Sequence, residues 1–269
     1  MTTSLSDTGI TFADNSVQAS AGFPRSYLAG LALSTAGSST TMSIAAGVAT
    51  DSTNAVLITL AAIAKTTVSW AVGTATGGLD TGAIANNTWY HLYVIRRPDT
   101  GVVDVVFSTS ASAPTLPTNY TQFRRIGSGR TNGSGQWTSF TQDGDYFVWA
   151  AAPLDVNTTN PGTASVTATL TVPTGVNVIA DVNLALKQTT TTTFGYLRDL
   201  AVTDAAPSQS AAPLSNFGSD TVSGAFLSSQ LLVRTNTSAQ VGYRMNASDG
   251  AVIVRITTNG WIDSRGRNV

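Results

Sequence analysis

The chain contains no cysteine, no glutamate and a single histidine, and only 11% of its 269 residues are charged. Without cysteine there is no disulfide, no thiolate nucleophile and no thiolate-held metal. The lone His91 rules out histidine-rich metal sites and leaves a Ser-His-Asp triad only one side chain to be built on. Lysine occurs only at Lys65 and Lys187, so most cations are arginine, and helix formers other than Ala and Leu are scarce. A net charge of -1 provides no long-range positive field, so nucleic acid is not expected as a partner. No stretch approaches the roughly 18 apolar residues of a spanning helix, so membrane insertion is not expected either. The opening MTTSLSDTG has neither the basic nor the apolar region of a signal peptide, which predicts synthesis in the cytoplasm without one.

The polar remainder is rich in Thr, Ser, Asn and Gly, which suit strands and turns. Apolar residues recur at a period of two. Val166, Ala168, Leu170 and Val172 alternate with threonines, and Val176, Val178, Ala180, Val182, Leu184 and Leu186 with mostly polar residues, so Pro173-Thr174-Gly175 reads as the turn of a hairpin. Pro98-Asp99-Thr100-Gly101 predicts a second hairpin, between 89–96 and 102–108. Asn259-Gly260 predicts a third, between 251–257 and Trp261-Ile262. The apolar run 55–64 is read as a strand, and the glycine-rich 126–135 as a surface loop. Together these predict an all-β chain, an antiparallel β-sandwich of jelly-roll or lectin-like form. The expected division is a short N-terminal segment over 1–22, a main sandwich over 23–206, and C-terminal hairpins over 207–269 that either stand apart or belong to the same sandwich.

Little catalytic chemistry is legible. His91 shares a strand face with Trp89, Tyr93 and Ile95, which predicts a packed structural residue, and no G-x-S-x-G elbow occurs. Asp143 and Asp145 form the only closely spaced acidic pair. Turn capping is the expected role, with a calcium site or a glycosidase pair as lesser alternatives. No enzyme activity, cofactor or metal is expected. Tyr120, Arg125, Arg130 and Trp137 combine flat rings with guanidinium forks, a mixture suited to sugar or carboxylate recognition, and are the candidate ligand-binding residues. Because Arg124 and Arg125 are adjacent on a strand, at most one is expected in any such patch.

The segment Gly9 to Ala21 carries the run I-x-F-x-D-x-x-x-Q at Ile10, Phe12, Asp14 and Gln18. With Trp-Tyr-His-Leu-Tyr, Val-Asp-Val-Val-Phe-Ser and Phe-Arg-Arg-Ile-Gly-Ser in the middle, and Gly260-Trp-Ile-Asp-Ser-Arg-Gly-Arg267 at the end, the chain resembles bacteriophage tail-fibre and minor tail proteins. The strand at 89–94 and its hairpin are also similar to lectin-like sandwiches of the laminin G and concanavalin type. The first resemblance implies a homotrimeric virion component of the tail, attached through Ile10, Phe12, Asp14 and Gln18 to other virion tail proteins and displaying its β-rich part to a host-cell receptor, a glycan for preference. A structural tail-tip, baseplate or capsid-decoration subunit, with Arg265 and Arg267 in intersubunit pairs, is the alternative. A polysaccharide-degrading spike using Asp143 and Asp145 is a third.

Overall fold

Thr, Val and Ile at alternate positions favour the pleated conformation, and Gly, Asn and Asp close the turns between such segments, so strands should succeed one another along the whole chain. A computed structural model describes residues 24–187, 193–208, 210 and 226–267, together with the backbone of 4–6, 9–11, 17–18 and 217–219. Its strands are β1 (Ser4–Ser6), β2 (Gly9–Thr11), β3 (Val17–Gln18), β4 (Leu28–Gly30), β5 (Leu33–Ser34), β6 (Thr41–Ile44), β7 (Gly47–Thr50) and β8 (Leu57–Leu60). Next come β9 (Ile63–Ser69), β10 (Thr76–Leu79), β11 (Trp89–Arg96), β12 (Val103–Ser108), β13 (Gln122–Arg130), β14 (Phe140–Asp143) and β15 (Tyr146–Trp149). The chain continues through β16 (Leu154–Thr159), β17 (Val166–Thr169), β18 (Ile179–Lys187) and β19 (Thr193–Arg198). It ends in β20 (Phe217–Ser219), β21 (Phe226–Arg234), β22 (Gln240–Met245) and β23 (Ile253–Ile262).

The fold is all-β. One sheet has the order β13-β11-β12-β10-β9-β6-β5, and a second has β14-β15-β23-β18-β21 with β16 also paired to β23. Smaller sheets are β17-β22-β19-β20, β4-β7-β8 and β1-β2-β3. The two large sheets meet across an aromatic layer. Trp89 of β11 packs edge-on against Trp261 of β23 at 5.4 Å between ring centroids, and Trp261 stacks on Phe147 of β15 at 5.0 Å. Trp137 fills the adjoining region between Tyr90 and Phe107.

The sheets are not wholly antiparallel, because β10 runs parallel to both β9 and β12. Parallel neighbours normally need a connection of about a dozen residues or more. Here residues 70–75 suffice, because Lys65 of β9 reaches into the return loop and donates to Ala71 O (2.6 Å), Gly73 O (3.1 Å) and Thr76 Oγ1 (3.0 Å). Asp104 of β12 holds the same loop from the other side, pairing with Lys65 at 3.0 Å and accepting from Gly73 N at 2.8 Å.

The hairpin around Pro98-Asp99-Thr100-Gly101 forms as expected, with β11 antiparallel to β12 and Gly101 at φ +74. The run 55–64 is also extended, as β8 and the start of β9. Two other turn readings are corrected. The strands on either side of Pro173-Thr174-Gly175 do not pair: β17 joins β22, whereas β18 lies between β21 and β23. Asn259-Gly260 is no turn but lies inside the continuous β23, as a bulge opposite Asp181 and Val182. Glycine is required there by close approach, since a Cβ at Gly260 would lie 2.0 Å from Phe147 O. The glycine-rich 126–135 is likewise only half loop. Its first part belongs to β13, where Gly129 lies against Met42 and Trp137.

Candidate functional site

β13 is the edge strand of the first sheet, and this places Arg124 and Arg125 where both can turn around the edge toward the C-terminal segment 263–267. The expectation that only one of them joins a patch is thereby corrected. Between them, Tyr93 and Phe123 on one side, and Val176, Ile179, Arg234, Gly266 and Arg267 on the other, lies a cleft of about 910 Å³. Its size falls in the range of small-ligand sites.

The cleft is lined by arginines, most of which are already engaged. Arg125 makes a bidentate pair with Asp263, Nη1 to Oδ2 at 2.8 Å and Nη2 to Oδ1 at 2.5 Å, and donates to Ser128 Oγ at 3.0 Å. Arg265 donates to Asp145 Oδ1 at 3.1 Å, and Arg267 pairs with the same carboxylate. Within the chain, then, Arg265 and Arg267 both pair with Asp145. Arg234 pairs with Asp199 at 3.1 Å. Arg124 differs: it is 3% exposed, donates from Nη2 to Gly266 O at 2.6 Å, and has an unpartnered Nε. Burial, with Arg125 and Arg267 nearby, pushes its pKa below the usual arginine value.

A second, shallower depression of about 560 Å³ opens over Trp70 and Tyr120, between Val72, Val102, Leu116 and Pro117, with Asp80 and Arg97 at its polar edge. Trp70 donates from Nε1 to Val105 O at 3.1 Å and meets Tyr120 edge-on at 5.4 Å, so both rings are rigidly held. Comparison with protein-family models, with curated proteins and with solved structures finds no match.

The four candidate ligand-binding residues do not come together. Tyr120 lines the shallow depression and Arg125 the cleft. Arg130 ends β13 and borders neither. Trp137 is 0% exposed and packed between Tyr90 and Phe107, so its ring has no face to offer a ligand. Ile10 and Gln18 are backbone partners on β2 and β3, while Phe12 and Asp14 lie outside the described residues. Trp70 and Arg124 were missed. Nothing local marks them, since a lone Trp after a Thr-rich strand and one of two adjacent arginines read as ordinary sheet residues.

Asp143 and Asp145 flank Gly144 in the hairpin from β14 to β15, where Gly144 has φ +58 and Asp145 is taken up by Arg265 and Arg267. His91 is 1% exposed, with Nδ1 2.9 Å from Ser128 Oγ. Burial, then the Arg125 guanidinium, hold its pKa down at about 4. The ring is therefore neutral in the folded protein over a range in which the unfolded chain, with the ordinary imidazole value of 6.5, takes up a proton. Stability is unaffected by His91 above pH 6.5 and falls as the pH drops from 6.5 toward 4, by up to about 3 kcal/mol. Urea unfolding at stepped pH should show this slope in the wild type. A His91→Gln variant should lack it.

Proposed function

We propose that this chain is a non-catalytic recognition protein of a bacteriophage tail, which presents its sandwich to the host surface and binds a cell-surface saccharide there. The observation that carries this reading is the depression over Trp70 and Tyr120. The half-buried Trp70 ring, braced by the buried Tyr120, with apolar walls from Val72, Val102, Leu116 and Pro117 and a polar edge from Asp80 and Arg97, supplies what a sugar ring needs: a flat apolar contact and a few directed hydrogen bonds. No proton transfer is called for. The resemblance of 9–21, 89–137 and 260–267 to tail-fibre proteins supports the same assignment, and weak single sites would be compensated by display in several copies. Purified protein should adsorb to susceptible cells and compete with virions, and Trp70→Ala should weaken adsorption about tenfold. Undiminished adsorption by that variant would count against the depression as the contact.

A second reading, a structural tail subunit built as a homotrimer, is favoured by one feature. On the outer side of the second sheet, Leu232 of β21 is 62% exposed, with Ile179 of the adjacent β18 also exposed. Such apolar exposure on an edge strand suits contact with other chains. In light scattering, the wild type should have three times the chain mass and Leu232→Asp the mass of one chain. A monomeric wild type would remove the homotrimer, which the tail-fibre resemblance also implies for the first reading.

A further inference from the structure

Arg124 is the charge that the cleft leaves unbalanced. Every neighbouring arginine has a carboxylate: Arg125 has Asp263, Arg265 and Arg267 share Asp145, and Arg234 has Asp199. Asp51 offsets part of the Arg124 charge from a distance but forms no ion pair with it, and its oxygens accept from Ala55 N (2.8 Å), Val56 N (2.9 Å) and the Thr53 hydroxyl (2.5 Å). Arg124 itself has no ion-pair partner among the described residues, is almost wholly buried, and lines the cleft with its Nε unpaired. A cation withdrawn from water without a counter-ion is strongly unfavourable. The arrangement becomes favourable when the counter-ion arrives from outside.

We propose that the cleft binds a carboxylate-bearing saccharide of the uronic-acid type, its carboxylate on Arg124 and its ring against Phe123. An arginine with no ion pair, beside others that already have one, calls for a small anion. The planar guanidinium also matches the two oxygens of a carboxylate. Phe123, held edge-on by Tyr93 at 5.9 Å, supplies the apolar wall. The saccharide part rests on the recognition reading above, whereas the carboxylate part stands on the cleft alone.

Titration calorimetry with sodium glucuronate, glucose and inorganic phosphate, on the wild type and on Arg124→Gln, Arg124→Lys and Arg25→Gln, tests it. Glucuronate should bind the wild type and Arg25→Gln equally, and glucose should not bind at the cleft. Affinity should fall on the order of tenfold to a hundredfold in Arg124→Gln. It should also fall in Arg124→Lys, which keeps the charge and loses the fork. Cooperative melting of both Arg124 variants shows that the fold survives. Phosphate binding as tight as glucuronate, or glucuronate binding that ignores Arg124, overturns the proposal. Cell adsorption with glucuronate as competitor separates the two claims. Adsorption without glucuronate binding at the cleft leaves the recognition reading standing and removes this one; glucuronate binding without any adsorption does the reverse.

Discussion

Lys65→Met should lower the free energy of unfolding by about 3–5 kcal/mol, because it leaves Asp104 charged and unpaired in a site closed to water. Both side chains are 0% exposed, and their ends lie 3.0 Å apart. Methionine replaces the volume of lysine but none of its donors. Ala71 O and Gly73 O lose a hydrogen-bond partner, and the return loop 70–75 loses the group that holds its carbonyls inward. For a chain of this size the melting temperature should fall on the order of 10 °C. Lys65→Met combined with Asp104→Leu should recover much of the loss, since removal of both charges leaves no ion stranded. A loss below about 1 kcal/mol for Lys65→Met in urea unfolding would show that the parallel strands hold without the lysine.

Asp263→Ala should be comparably damaging, at about 3–5 kcal/mol, and should also disable the cleft. Arg125 would lose both hydrogen bonds to that carboxylate, and Arg265 N would lose its acceptor at 2.8 Å. The segment 263–267, which carries Gly266 and Arg267 into the cleft wall, is tied to β13 through this pair. Its release removes the acceptor that orients Arg124. The buried pair should persist in molar salt, whereas the solvent-exposed Arg97–Asp99 pair should contribute little at any ionic strength. Urea unfolding of Asp263→Ala at low and high salt, with glucuronate titration on the same samples, measures both effects. Wild-type glucuronate affinity in Asp263→Ala would show that the cleft wall holds without the pair.

How far the fold was legible depended on the range of each signal. The alternation at 166–172 and 176–186 was readable because strand faces repeat every two residues, and Pro98-Asp99-Thr100-Gly101 because a hairpin turn is decided by its own four residues. Asn259-Gly260 carries the same local signature as a turn, yet it became a bulge in β23. Trp261 enters the aromatic layer beside Phe147, and Gly260 allows the two backbones to approach. Pro173-Thr174-Gly175 does turn the chain, but β17 and β18 found partners elsewhere.

The candidate site was less legible for the same reason. Tyr120, Arg125, Arg130 and Trp137 were grouped by nearness in sequence, but strand neighbours point to different faces. Trp137 was drawn into the core, where Tyr90 and Phe107 enclose it.

By itself, the sequence determined the class of the protein. Period-two hydrophobicity with abundant Thr and Gly favours strands and turns throughout, and the lack of Cys and the single His exclude disulfides, thiolate chemistry and histidine-rich metal sites. Only the tertiary structure decided which strands pair and which arginine lining the cleft has no carboxylate partner among the described residues. Strand propensity is a property of a few consecutive residues, whereas the carboxylate that neutralises Arg125 lies 138 positions away, and only the folded chain brings it to one guanidinium and not to Arg124 beside it.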